Sequence, residues 1–494
     1  MNAPAASQRR TYGGWSRPRS EGMFGLAWEA TVLGFVFVVI AMVTAVFVSF
    51  TAALVVAAFQ AIVWAPLAFR INGRTGYERA LVMAQWLRTW ARKENIYRSG
   101  TFSRFGTAKL PGLLALSRLY EGVDADQYRF GMVHMPKQGL YTVLLRVWPS
   151  GAENVDQAVI DQWVAAWGGF VASLGGASDI VAITPVLSTV PETGHRLAGE
   201  VAELTRPDAP EMARAMMAEL AATLPSHTVQ LDAWCSITFR ATTAERRREP
   251  AEQAVEIGRR LPGIVAALAQ AGVRTRPMTA AEVTATARRS FDPAAEADLE
   301  TAAASSDGHG LGWDDAGPIY YHERVGRLEH DGVVSTTWEM DYAPSGTVDE
   351  RVLQRLLAPT PDLPRKRVAL VLRPHAAADA ANIVDDDFKN ALVAQQSGKG
   401  VVSAHAMLRV GATEQAREEQ ARGHGVSRFG VLVTVTVPAG SDLPRIDALT
   451  GDLSDQARLR IRRAYYYQAA AFAGSLGVGV LLPEMATLPR VMAA

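Results

Sequence analysis

The chain has 494 residues, 49% of them hydrophobic and 20% charged, and its 50 Lys/Arg balance 50 Asp/Glu. That zero net charge disfavours bulk electrostatic binding to nucleic acid. A single cysteine, Cys235, excludes an internal disulfide framework and suits a reducing compartment.

Residues 1–29 form a polar, Arg-containing arm. The apolar run behind it is too long for a signal-peptide core and has no clear small-residue cleavage site, so it reads as retained. From Ala30 to Phe69 there are 40 residues without a charge. As one straight helix that run would be about 60 Å long at 1.5 Å per residue. The hydrocarbon core of a bilayer is only about 30 Å thick. Two spans are therefore predicted, Ala30–Val48 and Ala52–Phe69, with Ser49-Phe50-Thr51 as a tight turn lacking Gly, Pro or Asn. Arg9, Arg10, Arg17 and Arg19 precede the run. Arg70, Arg74, Arg79, Arg88, Arg92, Lys93 and Arg98 follow it. Basic flanks stay cytoplasmic, so both ends are expected inside, with Trp28 and Trp64 near the same interface. Two other readings are a buried core hairpin, which the run length opposes, and a single span, which would export the basic stretch. In the connector 70–105, residues 75–93 have Tyr77, Leu81, Val82, Trp86 and Trp90 at helical spacing. That juxtamembrane helix suits either anionic lipid and a partner helix or its own domain.

The rest reads as a cytoplasmic two-part α+β region. In the first part, 106–291, strands at 129–135 and 139–147 flank Pro136-Lys137-Gln138, a hairpin signal. A helix at 155–174 ends at Gly175-Gly176, a strand follows at 179–189, and Asp208 with Pro210 opens a helix at 208–223. Val229, Leu231, Ala233, Cys235, Ile237 and Phe239 alternate through 228–240, the period of a half-buried strand. A helix at 251–271 completes the part. Residues 292–316, rich in Ala, Asp, Ser and Gly, are expected as a linker. The second part, 317–494, begins with a hairpin of 318–328 and 333–342 about Asp331-Gly332. Then come a short helix at 349–357, a strand at 367–373, a polar helical stretch at 376–422, a strand at 428–437 and helix over 455–475. Both parts read hairpin, helix, strand, helix, strand, helix, which suggests a duplicated unit.

Signatures of chemistry are weak throughout. Gly398-Lys399 lacks the first glycine of a phosphate loop (position 393 is Val) and the hydroxyl that would meet magnesium (Gly400). The nine histidines show no metal-ligand spacing. His322 and His330 fall on opposite arms of the second hairpin, and Asp385-Asp386-Asp387 reads as a solvated turn. Cys235 lies on the apolar face of its strand, where a thiol is inert. Gly308-His309-Gly310-Leu311-Gly312 follows no strand and so fails the dinucleotide context. Arg246-Arg247-Arg248 could meet an acidic partner but suits a solvated surface. Arg458–Phe472, with three consecutive tyrosines, reads as a helix at a core boundary rather than a nucleic-acid stack. No catalytic, cofactor-binding or metal-binding residue is assigned.

TYGGWSRPRSEGMFGL at the start, the paired spans, and NGRTGYERALVMAQWL leading to NIYRSG resemble a family of actinobacterial integral-membrane proteins of conjugative elements. Arg460–Pro483, with Tyr467-Gln468 and Ala471-Phe472, resembles the close of the non-ATPase N-terminal domain of conjugation ATPases. The whole resembles the small inner-membrane subunit of type IV secretion fused to that domain. The resemblance implies a non-catalytic scaffold on the cytoplasmic membrane, oligomeric within an assembly. Its partners would be the bilayer, other membrane subunits and a separate ATPase. EccE-type membrane components of type VII secretion also carry two spans and an α+β domain. A membrane-bound enzyme with an unfamiliar site, and a module that guides DNA, are the readings from other classes.

Overall fold

The structure is a computed structural model describing residues 11–15, 28–68, 70–71, 74–101, 103, 106–149, 151, 155–206, 208–223, 229–305, 308–344, 346–396 and 404–486. It forms two compact units: Gly14–Glu94 with Asn382–Glu418, and Asn95–Ala381 with Glu419–Thr487.

The smaller unit opens with α1 (Trp28–Phe47) and α2 (Phe50–Ala68), which pack side by side. The expected turn is shorter and earlier than the sequence suggested: Phe50 and Thr51 are already helical, and the chain reverses at Val48 and Ser49. Ser49 makes this possible without a glycine, because its Oγ accepts from the Ala52 backbone N–H at 3.1 Å. It is the N-cap of α2. Phe69, the expected end of the second span, lies outside the described residues. A two-strand ribbon, β1 (Arg70–Ile71) and β2 (Arg74–Thr75), leads into α3 (Gly76–Ala91). Thr75 and Glu78 close a capping box at the start of α3. Gly76 is required there, since a Cβ would sit 3.1 Å from the Pro66 backbone of α2.

The larger unit is one sheet of thirteen strands among the described residues. In chain order come β3 (Ile96–Arg98), β4 (Arg118–Val123), β5 (Arg129–Met135), β6 (Leu140–Pro149), α4 (Gln157–Gly176), β7 (Ile180–Pro191), α5 (His195–Leu204) and α6 (Glu211–Thr223). Next are β8 (Val229–Arg240), α7 (Ala244–Arg248), α8 (Pro250–Gln270), β9 (Val273–Pro277), α9 (Ala280–Phe291) and α10 (Glu296–Ala304). They are followed by β10 (Tyr320–Glu323), β11 (Leu328–His330), β12 (Val333–Tyr342), α11 (Gln354–Leu357) and β13 (Lys366–Pro374), and then by α12 (Ala377–Gln396) and α13 (Ala404–Ala421), most of which belong to the smaller unit. Last are β14 (Ser427–Pro438), α14 (Leu443–Gln456), β15 (Arg460–Arg463), α15 (Gln468–Ser475) and α16 (Leu482–Met485).

Every pairing in this sheet is antiparallel, in the order β3-β10-β11-β12-β14-β13-β7-β8-β6-β5-β4, with β15 added to β12 and β9 to β6. Apart from β3, the order runs alike outward from the central β7–β13 pair. Strand β8 lies between β7 and β6 as β14 lies between β13 and β12. The registers agree as well. The β6–β8 ladder runs from Leu140↔Arg240 to Arg146↔Trp234, and the β12–β14 ladder from Val333↔Pro438 to Glu339↔Leu432. Each has a hydroxyl pair at its third rung, Thr142–Thr238 at 3.0 Å and Ser335–Thr436 at 2.7 Å. The extra strand joins at the sixth rung in both, at Leu145↔Pro277 and Trp338↔Arg463.

Period-two alternation sorts side chains to two faces. Tyr141, Val143, Leu145, Cys235, Ile237 and Phe239 pack under α4 and α8. Leu140, Leu144, Ala182, Val186 and Trp234 pack under α9, α15 and the buried stretch Val478–Leu481. Gly479 (φ +93°) lets that stretch lie on the sheet, because a Cβ would collide with the Thr142 hydroxyl. On the second half, α11 and α14 cover Val368, Val431, Val433, Val435 and Val437.

Five expectations need correction. The stretch 292–316 is not a linker throughout: it contains α10, and Leu299, Trp313 and Ala316 are buried. The arm 318–328 is two strands, β10 and β11, so His322 and His330 sit on neighbouring strands of one hairpin. The region 455–475 is not continuous helix, because Arg460–Arg463 is a strand on β12. Asp385-Asp386-Asp387 lies within α12 rather than in a turn. The two parts are also not separated by strand pairing, since β7 and β13 join them in one sheet.

Candidate functional site

The feature that most needs a functional account is the surface of α1 and α2. Among the described residues they are the two helices long and apolar enough to cross a membrane, and only 11% of each span is buried within the protein. Phe35, Val38, Met42, Val46 and Phe47 of α1 stand exposed, as do Phe50, Leu54, Val55, Phe59 and Ile62 of α2. A core hairpin would hide such side chains. This one does not.

Its inner seam is specific. Trp64 Nε1 donates to the Ala30 carbonyl at 2.8 Å, pinning the end of α2 to the start of α1. Gly34 allows the indole that close, since a Cβ there would lie 3.0 Å from Nε1. Trp64 and the first turn of α1 therefore share one level; the side chain of Trp28 lies outside the described residues. Beside this seam runs a groove of about 470 Å³, lined by both helices, with Gln60 among the lining residues. In α3, Val82 is buried, whereas Tyr77, Met83, Leu87 and Trp90 are exposed, and the Trp86 and Trp90 rings stack at 6.5 Å. Exposed aromatics between arginines suit an interface of apolar and charged matter.

Residues 19–78 match DUF8461, a domain of unknown function. The DUF8461 segment takes in both apolar helices and ends at Glu78, the residue that completes the cap of α3. No curated protein matches the chain.

The larger unit holds a second notable cluster. Arg289 reaches Glu296 at 3.2 Å and Asp232 at 3.5 Å, Arg365 reaches Glu296 at 3.3 Å, and Arg146 pairs with Asp232. Next to them Arg367 is buried without a carboxylate. Its Nε and Nη2 donate to Ser475 Oγ at 3.1 Å, and its guanidinium lies 4.8 Å from the centre of the Phe472 ring. Burial pulls Arg367 down to about 9 and Lys366 to about 8. Lys366 points to the other face and donates to the Ala358 carbonyl at 3.0 Å. These groups border a polar cavity of about 10 Å³, room for a single water. Its ion pairs and hydroxyls tie α9 and α15 to the sheet.

The structure does not gather the residues considered at the sequence level into one place. Cys235 is buried between β6 and β7, and burial pushes its thiol up to about 12. His322 lies 4.0 Å from Glu329 on β11. His330 is buried, with Nδ1 2.5 Å from the Phe291 carbonyl and Nε2 2.8 Å from Ser335 Oγ. A carbonyl only accepts, so Nδ1 carries the proton and Nε2 accepts from Ser335. Arg246-Arg247-Arg248 closes α7, with Arg246 3.3 Å from Glu256. His309 Nε2 meets the Ala281 carbonyl at 2.9 Å, bracing the glycine-rich stretch. Asp385 pairs with Arg417 at 2.7 Å. Tyr465 is exposed and Tyr467 buried at the entry to α15. Gly398, Lys399 and Gly400 lie outside the described residues. No group of three or more His, Cys, Asp or Glu placed to hold a metal occurs among the described residues.

Sequence reasoning passed over Gln60 and the triplet Arg365-Lys366-Arg367. Gln60 was visible as the one carboxamide in the 40-residue run. The triplet gave no such signal, because charged residues at the start of a strand normally face water.

Proposed function

We propose that this chain is a non-catalytic scaffold of a conjugation or type IV secretion-like apparatus in the cytoplasmic membrane, and that it docks a separate ATPase. The hairpin crosses the bilayer twice, and both termini and the α+β body stay on the cytoplasmic side. The observation that carries the reading is the exposure of two apolar helices whose side chains only hydrocarbon would satisfy. Basic residues on both flanks favour the orientation. The secretion context rests on the resemblance of the N-terminal motifs and of Arg460–Pro483.

The α+β body is a duplicated unit, fused edge to edge through β7 and β13. The repeated strand order, the matching third-rung hydroxyl pairs and the sixth-rung entry of β9 and β15 support this. A duplicated body offers two related surfaces to an assembly, which suits a scaffold better than a catalyst with one cleft.

Deleting the gene tests the role. Loss of conjugative transfer, restored by the full chain but not by one lacking residues 30–69, is expected. Undiminished transfer in the deletion strain contradicts it.

A further inference from the structure

We infer that the groove between α1 and α2 seats the hairpin of a second copy of this chain, with the two Gln60 carboxamides hydrogen-bonded to each other across a two-fold axis. The inference rests on the hairpin crossing the membrane.

Gln60 lies near the middle of α2, nine-tenths buried, on the wall of the groove. It has no hydrogen-bond partner among the described residues, and in this the hairpin makes an exception of it. Thr44 bonds the Ile40 carbonyl at 2.8 Å, Ser49 and Thr51 bond each other at 3.1 Å, and Trp64 bonds Ala30. At the depth of Gln60 there is no water to serve a carboxamide, and an unpaired one is costly in hydrocarbon. The groove around it mixes small and large side chains: Ala41 of α1 and Ala57 and Ala61 of α2 open room for close approach, flanked by Phe35, Phe37 and Val38. Small side chains let a further helix bring its backbone near, where dispersion and an interhelical hydrogen bond replace the missing hydrophobic drive.

The occupant follows from chemistry. No third helix fit to span is found among the described residues, so the occupant comes from another molecule. A carboxamide carries both donor and acceptor and is complementary to itself. A two-fold axis past Gln60 satisfies both copies with one reciprocal pair, the defining property of an isologous contact. A charged partner at this depth would bring a desolvation cost of its own.

Single cysteines in the full chain, oxidised in native membranes, read the contact. The wild-type chain is the blank, because Cys235 is buried. Ala61→Cys, beside Gln60, is expected to give a disulfide-linked dimer; Phe59→Cys, on the exposed outer face, is not. Adding Gln60→Leu to Ala61→Cys is expected to lower the dimer yield about tenfold, the scale of one interhelical hydrogen bond. Adding Gln60→Asn keeps the carboxamide and most of the yield. Equal dimer from Phe59→Cys, a yield indifferent to Gln60→Leu, or Ala61→Cys linking only to a different protein would overturn the inference. An alkaline carbonate wash separates the two levels: a chain that washes off defeats the membrane reading, whereas one that stays without dimer defeats only the pairing.

Discussion

Helices α2 and α8 are close in length, 19 and 21 residues, and opposite in what they do with their apolar side chains. In α8 one stripe, Ile257, Leu261, Ile264 and Leu268, is buried against the sheet while the other side carries charge. That is the amphipathic pattern of a helix whose solvent is water. In α2 the residues kept from solvent are Ala53 and Gln60, and large apolar side chains face outward away from the α1 seam. The difference shows that hydrophobic content alone does not place a helix in a core; the direction of the apolar surface does. One helix is inside out relative to the other, as a change of solvent from water to lipid requires.

The largest expected effect lies on the water-soluble side of this comparison. Leu261→Ala removes a fully buried side chain and should destabilise the larger unit by about 2–5 kcal/mol, read by thermal unfolding of the full chain in detergent. Ile62→Ala, the matching truncation on the exposed face of α2, should leave that melting transition in place. Comparable losses in both would break the contrast.

Charge should act in the reverse sense. Ile62→Arg places a guanidinium near mid-span at an insertion cost of about 2.5–3.5 kcal/mol. The fraction of chain recovered in membranes should fall, while the body keeps its melting transition.

A third prediction concerns pH and the larger unit alone. His330 is held neutral by burial, with its Phe291 contact opposing and Arg367 adding, and its pKa drops to about 4. The unfolded side chain titrates near 6.5, so between those values the unfolded state binds the proton and the folded state does not. This contribution is complete above pH 6.5 and lost as pH falls toward 4, by on the order of 2–3 kcal/mol. His330→Asn should flatten that limb of the stability profile, and an unchanged slope would exclude His330 as its source. The smallest effect is expected at the start of α3. Thr75→Ala removes half of the capping box and should cost about 1 kcal/mol of local helix stability, seen as faster amide exchange in the first turn.

The sequence carried the local elements and missed those defined by distant partners. The β5–β6 hairpin, the alternation of β8 and the turn at Asp331-Gly332 (φ +35° and +81°) were legible because residues within a dozen positions specify them. Strand β15 was not. RIRR reads as part of a helix over 455–475, and it is a strand in which Arg462 reaches Glu339 at 2.6 Å and Asp341 at 3.4 Å on β12. The stretch 292–316 has the composition of a linker, yet Glu296, Leu299, Trp313 and Ala316 within it are buried. Fusion of the two parts depends on β7 meeting β13, nearly two hundred positions away, and no local pattern announces it. At the apolar hairpin two long helices were legible from run length, whereas the Ser49 cap and the isolation of Gln60 depend on the three-dimensional packing.

Thiol labelling from outside the cell addresses the two-pass hairpin most directly. Val48→Cys, at the exposed reversal between α1 and α2, should react with an impermeant maleimide on intact cells, and Thr101→Cys only after the membrane is opened. Labelling of Thr101→Cys on intact cells, or of neither position until permeabilisation, would contradict a hairpin that crosses and returns.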